Sequence, residues 1–161
     1  MLQQSIKNME TLNKLIVLQL KIINIFSRIH LPLARFALFL VYFWFGALKV
    51  FDLSPASPMV LQLLNRTMPF FPPDKFLILF GLLEVFIGIL FLIPRFTKLA
   101  IILLFGHMFT TILPLFIMPA YTWDGFLVPT MEGQYIIKNI LIISLAVVIG
   151  ANIKSNYSKT I

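Results

Sequence analysis

The chain has 161 residues, of which 60% are hydrophobic and only 12% charged, and it carries a net charge of +7. A soluble domain is roughly 45–50% apolar and about 25% charged, so a water-soluble globule and a disordered chain are excluded in favour of an all-α integral membrane protein. Cysteine is absent, which removes thiolate metal sites, iron–sulfur ligation and self-contained disulfide exchange.

Residues 1–30 come first. Lys7, Lys14, Lys21 and Arg28 recur every seven residues, a spacing that drifts only ~20° per repeat on a helix and therefore draws one basic stripe. Leu2, Met9, Ile16 and Ile23 lie on another side. The pattern predicts an amphipathic N-terminal helix, lying on anionic cytoplasmic lipid or docked on a partner or a second copy. Charges recur throughout and no small-residue cleavage site follows, so this is not the pattern of a signal peptide.

Four apolar runs then approach the roughly 20 residues needed to cross a bilayer, at about 31–51, 76–93, 99–118 and 136–153. Their length and the lack of period-two alternation predict helices rather than barrel strands. The reading is four transmembrane helices in a compact antiparallel bundle over 31–153, with 154–161 as a tail. Between the first two runs, Ser54-Pro55 reads as a helix start and Met59–Leu64 as a short interfacial helix. Met68–Pro73, MPFFPP, reads as a turn. Tyr121 and Trp123 suit the aromatic belt. Thr130 is placed to cap the fourth helix, with Glu132 at its positive end.

Lys7, Lys14, Lys21, Arg28, Arg35, Arg95, Lys98, Lys154 and Lys159 fall on one side, against Lys49, Arg66, Lys75 and Lys138 on the other. This asymmetry predicts that both termini are cytoplasmic. It also accounts for the basic balance without nucleic acid as a partner; the lipid bilayer is the partner it implies.

Ionisable residues at membrane depth need a partner or a function. Glu84 lies nine residues after Lys75, and His107 nine after Lys98. Each is therefore ~13.5 Å along its helix at 1.5 Å per residue, near the midplane. Gly81 and Gly88 flank Glu84 and permit close backbone approach. The pair reads either as a polar clasp holding the helices or as a proton-handling or ligand-orienting unit; a rotation that keeps the two apart is the remaining alternative. A second candidate cluster lies at the outer rim. Lys49 closes the first span and Lys138 opens the fourth. Tyr42 shares a face with Lys49, Gln134 shares one with Lys138, and Asn139, Asp52 and Glu132 lie at the same level. The set predicts a ligand pocket open to the outer leaflet, against the alternative of lysines snorkelling independently.

No P-loop, dinucleotide-binding glycine pattern or HExxH motif occurs, and two histidines with scattered carboxylates make a poor metal site. WFGALKVFDLSPASPM at 44–59, LLEVFIGILFLIPR at 82–95 and PTMEGQYIIKN at 129–139 resemble the DoxX-like membrane proteins. The likeness covers about Arg28 to Ile153. It implies a four-helix protein of the bacterial inner membrane, with quinone as a possible ligand and a redox or detoxification enzyme as a possible partner. It implies no catalytic residue set. The positions it carries over are Lys49, Glu84, Glu132, Gln134, Lys138 and Asn139. Two functions follow as expectations: an accessory or binding subunit holding a quinone, lipid or similar amphipathic molecule, or a small proton-linked transporter that would require dimerisation. A quinone-linked oxidoreductase subunit needs an electron source that the sequence does not supply, so the reading leans away from an enzyme.

Overall fold

In the computed structural model, residues 2–158 are described, with side chains described for Met9 and for 12–153. The chain is almost wholly helical, and four of its segments are long and apolar enough to cross a membrane: Leu12–Val50, Pro73–Leu92, Pro94–Ile117 and Met131–Ile153. Residues 1–34 and 35–161 form two units.

Helix α1 runs Leu2–Val50 as one element with Pro32 inside it. The boundary expected near residue 30, between an amphipathic helix and the first span, is therefore not a break in secondary structure. Pro32 removes one i→i−4 hydrogen bond, but the apolar, strongly helical sequence continues on both sides. Within the first unit, the side chains from Leu12 to Phe26 are exposed. The helix ends in a Schellman motif. Leu53 N–H donates to Leu48 O at 2.8 Å and Asp52 N–H to Lys49 O at 3.2 Å. Asp52 takes the left-handed conformation that closes the motif, with φ 56°.

Helix α2 covers Ser57–Thr67, with Ala56 at its N-cap and Pro58 in its first turn. The expected start, with Ser54 as cap and Pro55 as first helical residue, lies two residues too early. Ser54 Oγ instead accepts from Ala56 N–H within the preceding turn, and the next Ser-Pro pair opens the helix. Helix α3, Pro73–Leu92, begins with a proline at its first position, where the missing N–H costs nothing. It ends because Pro94 forces Ile93 into an extended conformation, φ −103°, ψ 103°. A single 3₁₀ turn, Pro94–Phe96, leads into α4, Thr97–Ile112. Arg35 ties this corner to α1, donating from Nη1 to Phe91 O and to Thr97 Oγ1 at 2.7 Å.

The third span is not one helix. Pro114 cannot donate to Thr110 O, so α4 gives way to a separate turn, α5, Pro114–Ile117. A further turn, α6, Pro119–Thr122, feeds a small antiparallel hairpin of β1, Trp123–Gly125, and β2, Val128–Pro129. The sequence predicts only an aromatic loop here; Leu127, at φ 57°, makes the tight turn. Helix α7, Met131–Ser158, is capped as its sequence suggests: Thr130 Oγ1 accepts from Gly133 N–H at 3.1 Å and donates to Tyr121 O at 3.0 Å.

The core is built from Leu38 on α1, Ile87 and Phe91 on α3, Ala100 and Leu104 on α4, and Ala146 and Ile149 on α7, all essentially inaccessible. Small residues at Ala100 and Ala146 suit the packing of α4 against α7. Large apolar side chains such as Trp44, Phe86, Ile102, Phe109, Ile140 and Leu141 face outward. In water that surface would drive aggregation; in lipid it is ordinary.

Candidate functional site: a buried polar line at a glycine crossing

Two helices carry the same local pattern, a glycine followed three residues later by a charge: Gly46 and Lys49 on α1, Gly81 and Glu84 on α3. The crossing uses both. A Cβ on Gly46 would lie 2.6 Å from Gly81 O and 2.9 Å from Glu84 Cβ. A Cβ on Gly81 would lie 2.7 Å from Gly46 O and 2.9 Å from Lys49 Cβ. Each glycine is thus the seat for the stem of the opposite charged residue. One turn away, a Cβ on Gly88 would meet Tyr42 Cβ at 3.2 Å. The contacts pair 42 with 88, 46 with 84 and 49 with 81, so numbers rise on α1 as they fall on α3. Backbone proximity therefore sets the side-chain geometry.

The consequence is a line of four polar groups inside the apolar segment. Lys49 Nζ donates to Glu84 Oε2 at 2.6 Å, with both side chains 7% exposed. Glu84 Oε1 lies 2.9 Å from His107 Nε2. That separation is short enough for a hydrogen bond, but the carboxylate sits off the axis of the ring N–H, leaving Nε2 without an aligned partner. The contact is therefore electrostatic in this conformation. The other ring nitrogen, Nδ1, faces the Tyr42 hydroxyl at 3.3 Å. The consistent assignment has Tyr42 donating to Nδ1 while Nε2 carries the proton towards the carboxylate. With His107 neutral, one ammonium and one carboxylate leave the line with no net charge.

Aromatic rings continue from this line. Phe80 stacks on His107 at 4.8 Å and 28°, and Lys49 Nζ sits 5.8 Å from the Phe80 centroid. Phe76, one turn back, stacks on Phe80 at 5.5 Å and 15°. Phe71 meets Phe76 edge-on at 5.8 Å. On the far side, Tyr42 meets His107 edge-on at 5.3 Å.

Comparison with family models, with curated proteins and with solved structures returns no match.

Of the residues singled out from sequence, the structure brings together Glu84, His107, Lys49 and Tyr42. The last two are corrections. Lys49 and Tyr42 were placed with the outer-rim set, yet both are buried, on Glu84 and His107 respectively. The glycine crossing turns them inward, and a buried carboxylate is a better partner for an ammonium than lipid headgroups. The expected convergence of Lys49 with Lys138 is not formed. Lys138 is exposed, with Nζ 5.4 Å from the ring of its own helix neighbour Tyr135. Gln134 is exposed and Asn139 half-buried. Asp52 serves the end of α1 and Glu132 the first turn of α7; neither makes an ion pair among the described residues. Phe80 was missed, although its spacing of four from Glu84 and from Phe76 put it on their face. Among the described residues, no cluster of three or more His, Asp or Glu gathers as a metal site.

Proposed function

We infer that this is a DoxX-like membrane subunit, built as a compact antiparallel four-helix bundle, that holds an amphipathic molecule such as a quinone or lipid. Its setting is the bacterial inner membrane with both termini cytoplasmic, and its partner a redox or detoxification enzyme. The observation that carries the reading is the Lys49–Glu84–His107–Tyr42 line. An ion pair and a histidine maintained within an apolar segment are expensive unless they meet a functional need, and a structural clasp alone requires only two groups. The basic-residue asymmetry of the connecting segments supports the orientation.

Native mass spectrometry of protein extracted in mild detergent tests the reading. A co-purifying small molecule is expected on the wild-type chain, diminished in Lys49→Met and Glu84→Gln and unchanged in Lys138→Met. Wild-type occupancy in both inner variants, or no bound molecule at all, would overturn it.

A second reading, a small proton-linked carrier, is favoured by one feature: Glu84, His107 and Tyr42 lie in series, 2.9 and 3.3 Å apart in turn. Proton uptake by proteoliposomes that is abolished in Glu84→Gln supports it, and uptake equal to that of empty liposomes removes it.

A further inference from the structure

The first part of α1 takes no part in the buried polar line. Leu12–Val50 is apolar over 39 residues, which at 1.5 Å per residue reaches ~58 Å, against a hydrocarbon core of about 30 Å. The later residues Leu38, Tyr42 and Lys49 are buried within the second unit. The excess length therefore falls on Leu12 to His30, where every side chain is exposed. The sequence leaves three occupants for this surface: anionic lipid, a partner protein or a second copy of the chain.

Width and charge choose between them. Leu15, Leu18, Ile22, Ile25 and Ile29 recur at spacings of three and four and, at about 100° per residue, draw a seam about 80° wide. Leu12, Ile16, Ile23 and Phe26 widen the apolar arc to about 180°. All nine are exposed, Ile23 and Phe26 by 60% and 62%. Asn13, Lys14, Lys21, Asn24, Ser27 and Arg28 occupy the other side, interrupted by Val17 and Leu20, while Gln19 interrupts the apolar arc. A two-stranded coiled coil covers only the narrow seam and would leave Ile16, Ile23 and Phe26 in water. It would also set Lys14, Lys21 and Arg28 opposite Gln19, Phe26 and Leu33 of the second copy, none of them acidic. A flat apolar surface covers the whole arc at once. The three basic residues lie within about 40° of one another, beside the arc at Ile25, where their stems can lie on apolar surface and their heads reach phosphates. No Asp or Glu occurs between 11 and 51, so the complementary surface is anionic. The second unit, through its own apolar segments, holds a bilayer within reach of this helix without a separate association step. We propose that Leu12 to Ile29 is an interfacial anchor, with its apolar arc sunk at the headgroup boundary and Lys14, Lys21 and Arg28 on the phosphates of anionic lipids. The anchor is independent of the ligand-binding reading.

The cysteine-free chain makes the test direct. A nitroxide is attached to the full chain at Leu18→Cys, on the seam, at Ile23→Cys, on the arc outside it, or at Asn24→Cys, on the polar side. Each protein is reconstituted into vesicles of phosphatidylcholine alone or of an equimolar mixture with phosphatidylglycerol. Accessibility is read with oxygen, which enters lipid, and with a water-soluble nickel chelate, which does not. In the anionic vesicles, the labels at 18 and 23 should meet oxygen and be shielded from nickel, and the label at 24 should show the reverse. The ratio of shielded to water-exposed label should fall in phosphatidylcholine alone, a comparison that needs no further variant. It should also fall in the anionic vesicles when Lys14, Lys21 and Arg28 are replaced by Gln, by about fivefold per residue and roughly a hundredfold for the three. A label at 18 shielded from both reagents with spin–spin broadening, while 23 meets nickel, assigns the face to a second copy and overturns the anchor. Nickel access at both 18 and 23 in anionic vesicles overturns it in favour of a partner protein. Shielding at 24 as well would mean that the segment is immersed rather than interfacial. Shielding at 18 and 23 that neither the lipid composition nor the triple substitution changes overturns the recognition of anionic lipid.

Discussion

Removing one member of the Lys49–Glu84 pair should be far more harmful than removing both. Glu84→Leu leaves the Lys49 ammonium, 7% exposed at its side chain, without a counter-charge. Breaking a buried pair in this way typically costs about 3–5 kcal/mol. Lys49→Met leaves Glu84 with only the misaligned His107 contact and should cost a similar amount. The double variant Lys49→Met/Glu84→Leu has no unpaired charge. It loses only the misaligned carboxylate contact of His107, at most about 1–3 kcal/mol. The singles thus sum to about 6–10 kcal/mol against about 1–3 for the double, a coupling of at least about 3 kcal/mol. A solvent-exposed pair would couple by only about 0.2–1 kcal/mol, so the measurement separates the two situations. Reversible unfolding in mixed micelles, followed by loss of helical circular dichroism with increasing SDS fraction, supplies the four free energies. Additivity within about 0.5 kcal/mol would refute the buried pair.

Three further outcomes are expected. Gly81→Val places a Cβ 2.7 Å from a backbone oxygen that cannot rotate away; α1 and α3 must part, with an overpacking loss of about 1–3 kcal/mol and a weakened coupling in the cycle above. Asp52→Gly relieves a left-handed residue at the end of α1 and should stabilise the protein by up to about 1 kcal/mol in the same assay; destabilisation would mean that the carboxylate has a partner there. For topology, single cysteines at Phe70 and Phe126, both strongly exposed, should react with an impermeant reagent added outside intact cells. One at Arg95 should react only after permeabilisation, and the reverse pattern would invert the orientation.

How much of this was legible in the sequence differs by residue. Hydropathy picked out the four segments that are long and apolar enough to cross a membrane, because lipid demands long apolar runs whatever their packing. Counting residues from the span ends put Glu84 and His107 at one depth, and depth is a one-dimensional quantity that sequence contains. Thr130 as a cap was readable because a cap acts on its own next turn. The same logic misjudged Ser54, since two Ser-Pro pairs stand three residues apart and local propensity does not choose between them. Lys49 was misassigned for a different reason. Its distance from the span end suggested the rim, but its partner depends on which face of α1 meets α3, and that is set by a glycine pair 35 residues apart. Gly46 and Gly81 each precede a charge by three residues; read together, they signalled the crossing. Phe80 gave no signal of its own in a chain with seventeen phenylalanines.

The sequence separation of the ion pair also bears on how the protein is made. Lys49 enters the bilayer with the first span, 35 residues before Glu84 has been translated. At about 5–20 residues per second, the ammonium waits roughly 2–7 s for its counter-charge. A lysine at the centre of an inserting helix is penalised by about 2.5–3.5 kcal/mol, but Lys49 is the penultimate residue of its helix, and its four-carbon stem can reach the headgroups during that interval. The terminal position that made Lys49 look like a surface residue thus suits stepwise insertion. It lets the nascent chain tolerate a cation that the finished protein encloses.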